Sequence, residues 1–212
     1  MSIQGEEIKS LLSRNQTIFA TLYINIENLG ITEETKSFLK KVGLPIINPD
    51  EGQNFLPFTF LPEVKVQNKE VYLLGDCSPG FIGTSFIGLE KEMEEIYSIW
   101  SDREQVLNYK FVNQSLYQFL QCLYYYNAFW QKYDDPETVI PKEIKKDYEQ
   151  LQLDLTQVDA KAMSQRDYFW KHSIEVMEVG GYGDYLTGRE IPTGENLRIY
   201  TQEEIDNMDL PF

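Results

Sequence analysis

The chain has a single histidine, His172, and only two cysteines, Cys77 and Cys122, in 212 residues. That shortage leaves most enzyme mechanisms without their parts. His172 sits between Lys171 and Ser173 in a helical stretch, where a lone histidine is far more often a surface or packing residue than a catalyst. No HExxH and no HxE followed by PCxxC occurs, so zinc hydrolase and zinc deaminase chemistry has no ligand set. The turn Gly75-Asp76-Cys77-Ser78-Pro79-Gly80 does not match GxSxG. Either Cys77 or Ser78 as nucleophile would also need the distant His172 as its base. The glycines of Gly180-Gly181-Tyr182-Gly183 follow a helical pattern instead of opening one, and no Lys-Ser/Thr pair comes next. They read as a helix-ending turn and not as a phosphate loop. The sequence thus nominates no catalytic, cofactor-binding or metal-binding residue, and no cofactor.

Long apolar runs are missing too. No stretch approaches the roughly 18 residues that span a bilayer, and the greasy segment 116–130 is broken by Gln and Asn. The first residues, Met1-Ser2-Ile3-Gln4-Gly5-Glu6-Glu7, carry neither a basic nor an apolar region, so no signal peptide is expected. Cys77 and Cys122 show no redox or ligand spacing, so reduced thiols in a cytoplasm are expected. Basic residues are scarce, 19 against 34 acidic, for a net charge of −15. Such a field repels nucleic-acid phosphates and anionic membranes. It attracts a basic partner, or it serves solubility alone. Carboxylate pairs such as Asp134-Asp135 or Glu94-Glu95 carry little weight as acid–base pairs where acids are this common.

What is present is a globular composition, 42% hydrophobic and 14% aromatic, with 14 Tyr. That is too apolar for disorder and suits one core with tyrosine-rich surfaces. A single domain over 1–212 is the economical reading. Ile8, Leu11 and Leu12 predict a short helix over 4–13, and alternation over 17–26 predicts a strand. Thr32 caps a predicted helix that exposes Glu33, Glu34, Lys36 and Lys40 and buries Phe38, Leu39 and Val42. Gly43 and Pro45 stop it, with Gly43 in the left-handed region. Strands are predicted over 58–60, 64–66, 70–74, 81–89 and 95–100, with hairpin-like gaps that favour antiparallel pairing. Asn113 or Ser115 caps a helix whose apolar face is Leu116, Phe119, Leu120, Leu123 and Ala128 or Trp130. In its run Tyr124-Tyr125-Tyr126, consecutive residues point different ways, so one or two rings belong to the core. Ile144, Tyr148, Leu151 and Leu155 line a further helix. Asp159 is expected to cap the last, with Met163, Trp170, Ile174 and Met177 inward. Beyond 180, Leu197 to Tyr200 reads as a small strand and Thr201-Gln202-Glu203-Glu204 as a capping box.

Several of these segments together resemble a known family. Ser37-Phe38-Leu39-Lys40-Lys41-Val42-Gly43-Leu44-Pro45 is similar to the FLxxVGLP segment of SUKH-superfamily proteins, the bacterial immunity proteins of Smi/Knr type. Tyr72-Leu73-Leu74-Gly75-Asp76, then Phe111 to Leu120 and then Val158-Asp159-Ala160 leading to Tyr168-Phe169-Trp170 follow in that family's order. The VNxSLxxFL and VDxxA…FW patterns most resemble the fourth subgroup. The resemblance covers about 32–180 and leaves 181–212 as a C-terminal extension. It implies an α+β fold, a mixed, largely antiparallel twisted sheet packed by helices, with no cofactor and no catalysis. It also implies a role in neutralising a polymorphic toxin, often a nuclease or a nucleic-acid deaminase. A basic toxin would complement the acidic surface. The competing readings are a regulatory or scaffolding module of the same fold and an enzyme of unrecognised type. No nucleic-acid or membrane partner is expected, and the chain would be a monomer or a weak homodimer.

Charge also nominates a partner-binding stretch. Glu90, Glu92, Glu94, Glu95 and Asp102 surround the aromatic positions Tyr97 and Trp100. If this stretch is a strand pair at a sheet edge, carboxylates point outward near exposed rings, as in an interface of aromatic anchors with an acidic rim. An ordinary solvated hairpin gives the same pattern.

Overall fold

The computed structural model describes residues 18–20, 26–47, 55–58, 61–77, 85–101, 106–132, 141–166 and 168–179. A small sheet pairs β1 (Ile18–Ala20) antiparallel with β2 (Leu44–Ile46). The larger sheet holds β3 (Leu56–Pro57), β4 (Glu63–Val66), β5 (Lys69–Asp76), β6 (Ser85–Glu90), β7 (Ile96–Ser101) and β8 (Leu107–Asn113). Its order is β3-β5-β6-β7-β8, with β4 also paired to β5, and every described pair is antiparallel. The helices are α1 (Glu33–Lys41), α2 (Leu116–Lys132), α3 (Pro141–Val158) and α4 (Phe169–Val179). The class is α+β.

Helix α1 forms where its local signals place it. Thr32 is extended, and its hydroxyl accepts from the Thr35 N–H at 3.3 Å. Glu33 and Glu34 fill the first turn and Lys40 and Lys41 the last, in line with the helix dipole. The helix ends before Gly43, whose φ of 78° is open to glycine at little cost. Leu39 and Val42 are buried and Phe38 half-buried. Lys36, expected on the outer face, is buried instead. Its ammonium donates to the Glu27 carbonyl at 3.1 Å and pairs with Glu33 at 2.9 Å, which satisfies the charge beneath the surface.

In the sheet, β5 is central and buries Val71, Tyr72, Leu73, Leu74 and Gly75. The missing Cβ of Gly88 lets neighbouring strands close up. A Cβ there would lie 2.3 Å from Val71 Cγ1 and 2.7 Å from Ile99 Cδ1. The sheet curls until β4 touches β8. Cross-strand register places Lys69, Val71, Gly88, Tyr97, Ile99, Tyr109 and Phe111 on one face. Tyr97 meets Tyr109 edge-on at 5.3 Å, and the Lys69 ammonium lies 4.5 Å from the Tyr97 ring centre. The buried residues of α2, α3 and α4 join one hydrophobic cluster with the sheet. They include Leu116, Phe119, Leu120 and Leu123, the Ile144–Tyr148–Leu151–Leu155 stripe, and Trp170 and Ile174. Of the three consecutive tyrosines, Tyr126 is buried and the other two are half-buried.

Other expectations are corrected. Of the strand expected over 58–60, only Phe58 is described; it lies just past β3 and outside any strand, with its N–H on the Leu74 carbonyl at 3.0 Å, and 59–60 lie outside the described residues. Strands β2 and β8 were not expected. Asn113 does not open a helix. It ends β8, and Ser115 caps α2 by accepting from the Gln118 N–H at 3.2 Å. Asp159 caps a turn through the Ala162 N–H at 3.1 Å, whereas α4 begins only at Phe169. The helix expected over 4–13, most of the strand over 17–26, and the elements beyond 180 lie outside the described residues.

Asp159 is the centre of a buried polar hub. Its carboxylate also accepts from Asn113 Nδ2 at 3.1 Å, the Gln114 N–H at 2.9 Å and Gln114 Nε2 at 3.0 Å. The Asn113 side-chain oxygen accepts from the Trp170 indole at 2.7 Å. Asn113, Asp159, Ala162 and Trp170 therefore tie β8, the end of α3 and α4 together. The sequence patterns around 111–120 and 158–170 are accounted for by this structural role.

Candidate functional site

The acidic stretch lies on the turn between β6 and β7. These are inner strands of the sheet, not the edge pair the sequence suggested. The turn closes with the Glu90 N–H on the Glu95 carbonyl at 3.0 Å, and the Lys91 N–H on the Glu70 carbonyl at 3.0 Å. Three of its four carboxylates bind within the chain. Glu90 is buried, and its side chain accepts from the Met93 N–H at 2.7 Å. Glu94, at a φ of 55°, caps α1 by accepting from the Thr32 N–H, from the Thr32 hydroxyl at 2.9 Å and from the Thr35 hydroxyl at 2.5 Å. Glu95 accepts from the Tyr97 hydroxyl at 2.5 Å and pairs with the Lys161 ammonium at 2.6 Å.

Electrostatics follow from these contacts. Burial would raise the Glu95 carboxyl, but the bonds from Lys161 and Tyr97 outweigh it and hold the group below the usual carboxylate range. Burial, with the bond to Glu95, pushes the Tyr97 phenol far up. Lys91 is raised by its bond to Glu63, at 2.7 Å, and it also reaches Glu70 at 3.2 Å. Its ammonium lies 5.1 Å from the Tyr72 ring centre, and the Tyr72 hydroxyl accepts from the Gly30 N–H at 3.1 Å. The turn is thereby braced against α1, the β4–β5 hairpin and the segment after α3.

The seven nominated residues thus separate. Glu90 and Tyr97 are buried, Glu94 and Glu95 are partly buried and engaged within the chain, and Glu92 is exposed at the turn. Trp100 is half-buried, with the Lys110 ammonium 5.7 Å from its ring centre. Asp102 lies outside the described residues. Sequence reasoning passed over Met93, which is 70% exposed beside Glu92. An apolar residue inside an acidic run was the available signal.

Elsewhere, His172 is exposed on α4, and Cys77 and Cys122 are buried. Burial pushes the Cys122 thiol far up, which opposes thiolate chemistry. Among the described residues no group of three or more His, Cys, Asp or Glu is arranged to hold a metal. No helix among them is long and apolar enough to cross a membrane.

A family model described as SUKH-4 immunity protein matches residues 22–177. The match spans all four segments that carried the resemblance. Neither the curated proteins nor the solved structures give a significant match.

Proposed function

As the chain belongs to the SUKH-4 immunity protein family, we propose that it binds a basic toxin domain, a nuclease or a nucleic-acid deaminase, and neutralises it by occlusion. An immunity role implies a cognate toxin as partner, and what singles out a basic one is the net charge of −15. A toxin that grips phosphates carries a positive surface, and an acidic binder complements it, steers the encounter and covers the groove. The protein works by binding in the cytoplasm, without chemistry of its own. The acidic turn between β6 and β7 contributes to the surface that the toxin meets.

The test is co-expression and titration against a panel of purified nuclease and deaminase toxin domains. One of them should lose activity at one-to-one stoichiometry, with an association rate that falls steeply as salt rises, since charges are screened beyond about 8 Å at physiological ionic strength. Neutralisation at a rate indifferent to salt would refute the electrostatic part. Substoichiometric loss of toxin activity would refute occlusion.

A further inference from the structure

We infer that the tip of the β6–β7 turn is a preformed docking knuckle. On this view Met93 enters an apolar pocket on a basic protein partner, and Glu92 meets the cationic rim of that pocket. The inference rests on the functional reading above and names the residues that carry it.

Met93 has the highest exposure of the large hydrophobic side chains among the described residues, and it stands out of the sheet's end without joining the core. One exposed apolar residue alone means little. What sets this one apart is how it is held. A loop tip ordinarily has slack, but here a buried carboxylate, Glu90, binds the Met93 N–H itself. The next residue, Glu94, occupies the left-handed region although it is not glycine, a conformation that costs free energy. Its carboxylate is anchored on Thr32 and Thr35. Glu95 and Lys91 fix the two ends of the turn to Lys161 and to Glu63 and Glu70. Together these bonds hold the tip of the turn in one shape. The restraint lowers the entropy cost of presenting Met93 and Glu92 to a partner.

Charge chooses the occupant. Glu92 and Glu94 flank Met93 in a chain of net charge −15, and the nearby cation Lys91 is already bonded to Glu63 and Glu70. A second copy of this chain would bring the same acidic turn against itself. A basic surface is complementary, and an unbranched thioether adapts to an irregular pocket.

The experiment uses the full chain and whichever toxin domain of the panel it neutralises. Met93→Ala should raise the dissociation rate by about tenfold or more with little change in association, as expected of a buried anchor. Glu92→Lys should lower the association rate and flatten its salt dependence. Glu149→Lys, an exposed acid on α3, is the control for general charge loss, and thermal melts check folding of all three variants. In protein carrying 13C-labelled methionine methyls, the Met93 signal should shift and broaden on toxin addition. Wild-type kinetics in Met93→Ala, or an unmoved Met93 methyl in a saturated complex, would overturn the knuckle and leave toxin binding intact. Failure of every domain to bind the wild-type chain would overturn the functional reading and the knuckle with it.

Discussion

Asn113 Nδ2 donates to the Asp159 carboxylate at 3.1 Å, across 46 residues of sequence. Both side chains are buried, and the carboxylate takes its donors from Gln114 and Ala162 as well. Removing the acceptor leaves two buried donors, Asn113 Nδ2 and the Ala162 N–H, without this partner at once, which is costlier than losing a single balanced bond. Asp159→Ala should therefore destabilise the fold by about 2–4 kcal/mol in urea denaturation. A loss below about 0.5 kcal/mol would show that water replaces the carboxylate there.

Gly43 closes α1 at a φ of 78° while its neighbours Val42 and Leu44 are buried. A β-branched residue in that region strains the backbone. Gly43→Val should cost roughly 1–3 kcal/mol. An unchanged melting temperature would mean the helix end rearranges freely.

Why α1 was legible and β8 was not is a matter of range. Thr32, Gly43 and Pro45 act on their own backbone or on residues a few positions away, so the helix and its stop are written locally. Asn113 and Ser115 look equally fit to cap α2 from sequence. The side chain of Asn113 is drawn instead to Trp170, 57 residues on, and the alternation of Leu107, Tyr109 and Phe111 before it belongs to a strand. The acidic turn misled for the same reason. Its spacing suggested outward carboxylates, yet Glu94 and Glu95 are claimed by Thr32 and Lys161, 62 and 66 residues away. The buried apolar stripe of α3 was plain because helical periodicity alone sets it.

The expectation that the sole histidine has no catalytic role is testable directly. His172 is exposed on α4, and Cys77 is buried at the end of β5. His172→Ala should leave stability within about 0.5 kcal/mol, as for a surface site, and protection against the toxin unchanged. Cys77→Ala should lose stability through a small cavity yet keep protection when folded. Loss of protection in a well-folded His172→Ala protein would overturn the binding-only reading.

The last prediction concerns acid. The Glu95 side chain is 18% exposed, and its carboxyl is shifted down because the bonds from Lys161 and Tyr97 outweigh burial. A group whose folded pKa lies below its unfolded value adds stability above the unfolded value. That contribution is lost as pH falls through the folded one. The relevant window starts near the ordinary glutamate value of 4.5 and runs downward. Wild-type stability should therefore fall more steeply than that of Glu95→Gln between about pH 5 and pH 3. Near pH 7 the variant should be the less stable, since it keeps an acceptor for Tyr97 but loses the ion pair with Lys161. Lys161→Met should flatten the same acid limb, because it removes the bond that lowers Glu95. Urea midpoints across this range decide the matter. Parallel curves for wild type and Glu95→Gln would mean that the Glu95–Lys161 pair does not tie the segment after α3 to β7 in solution.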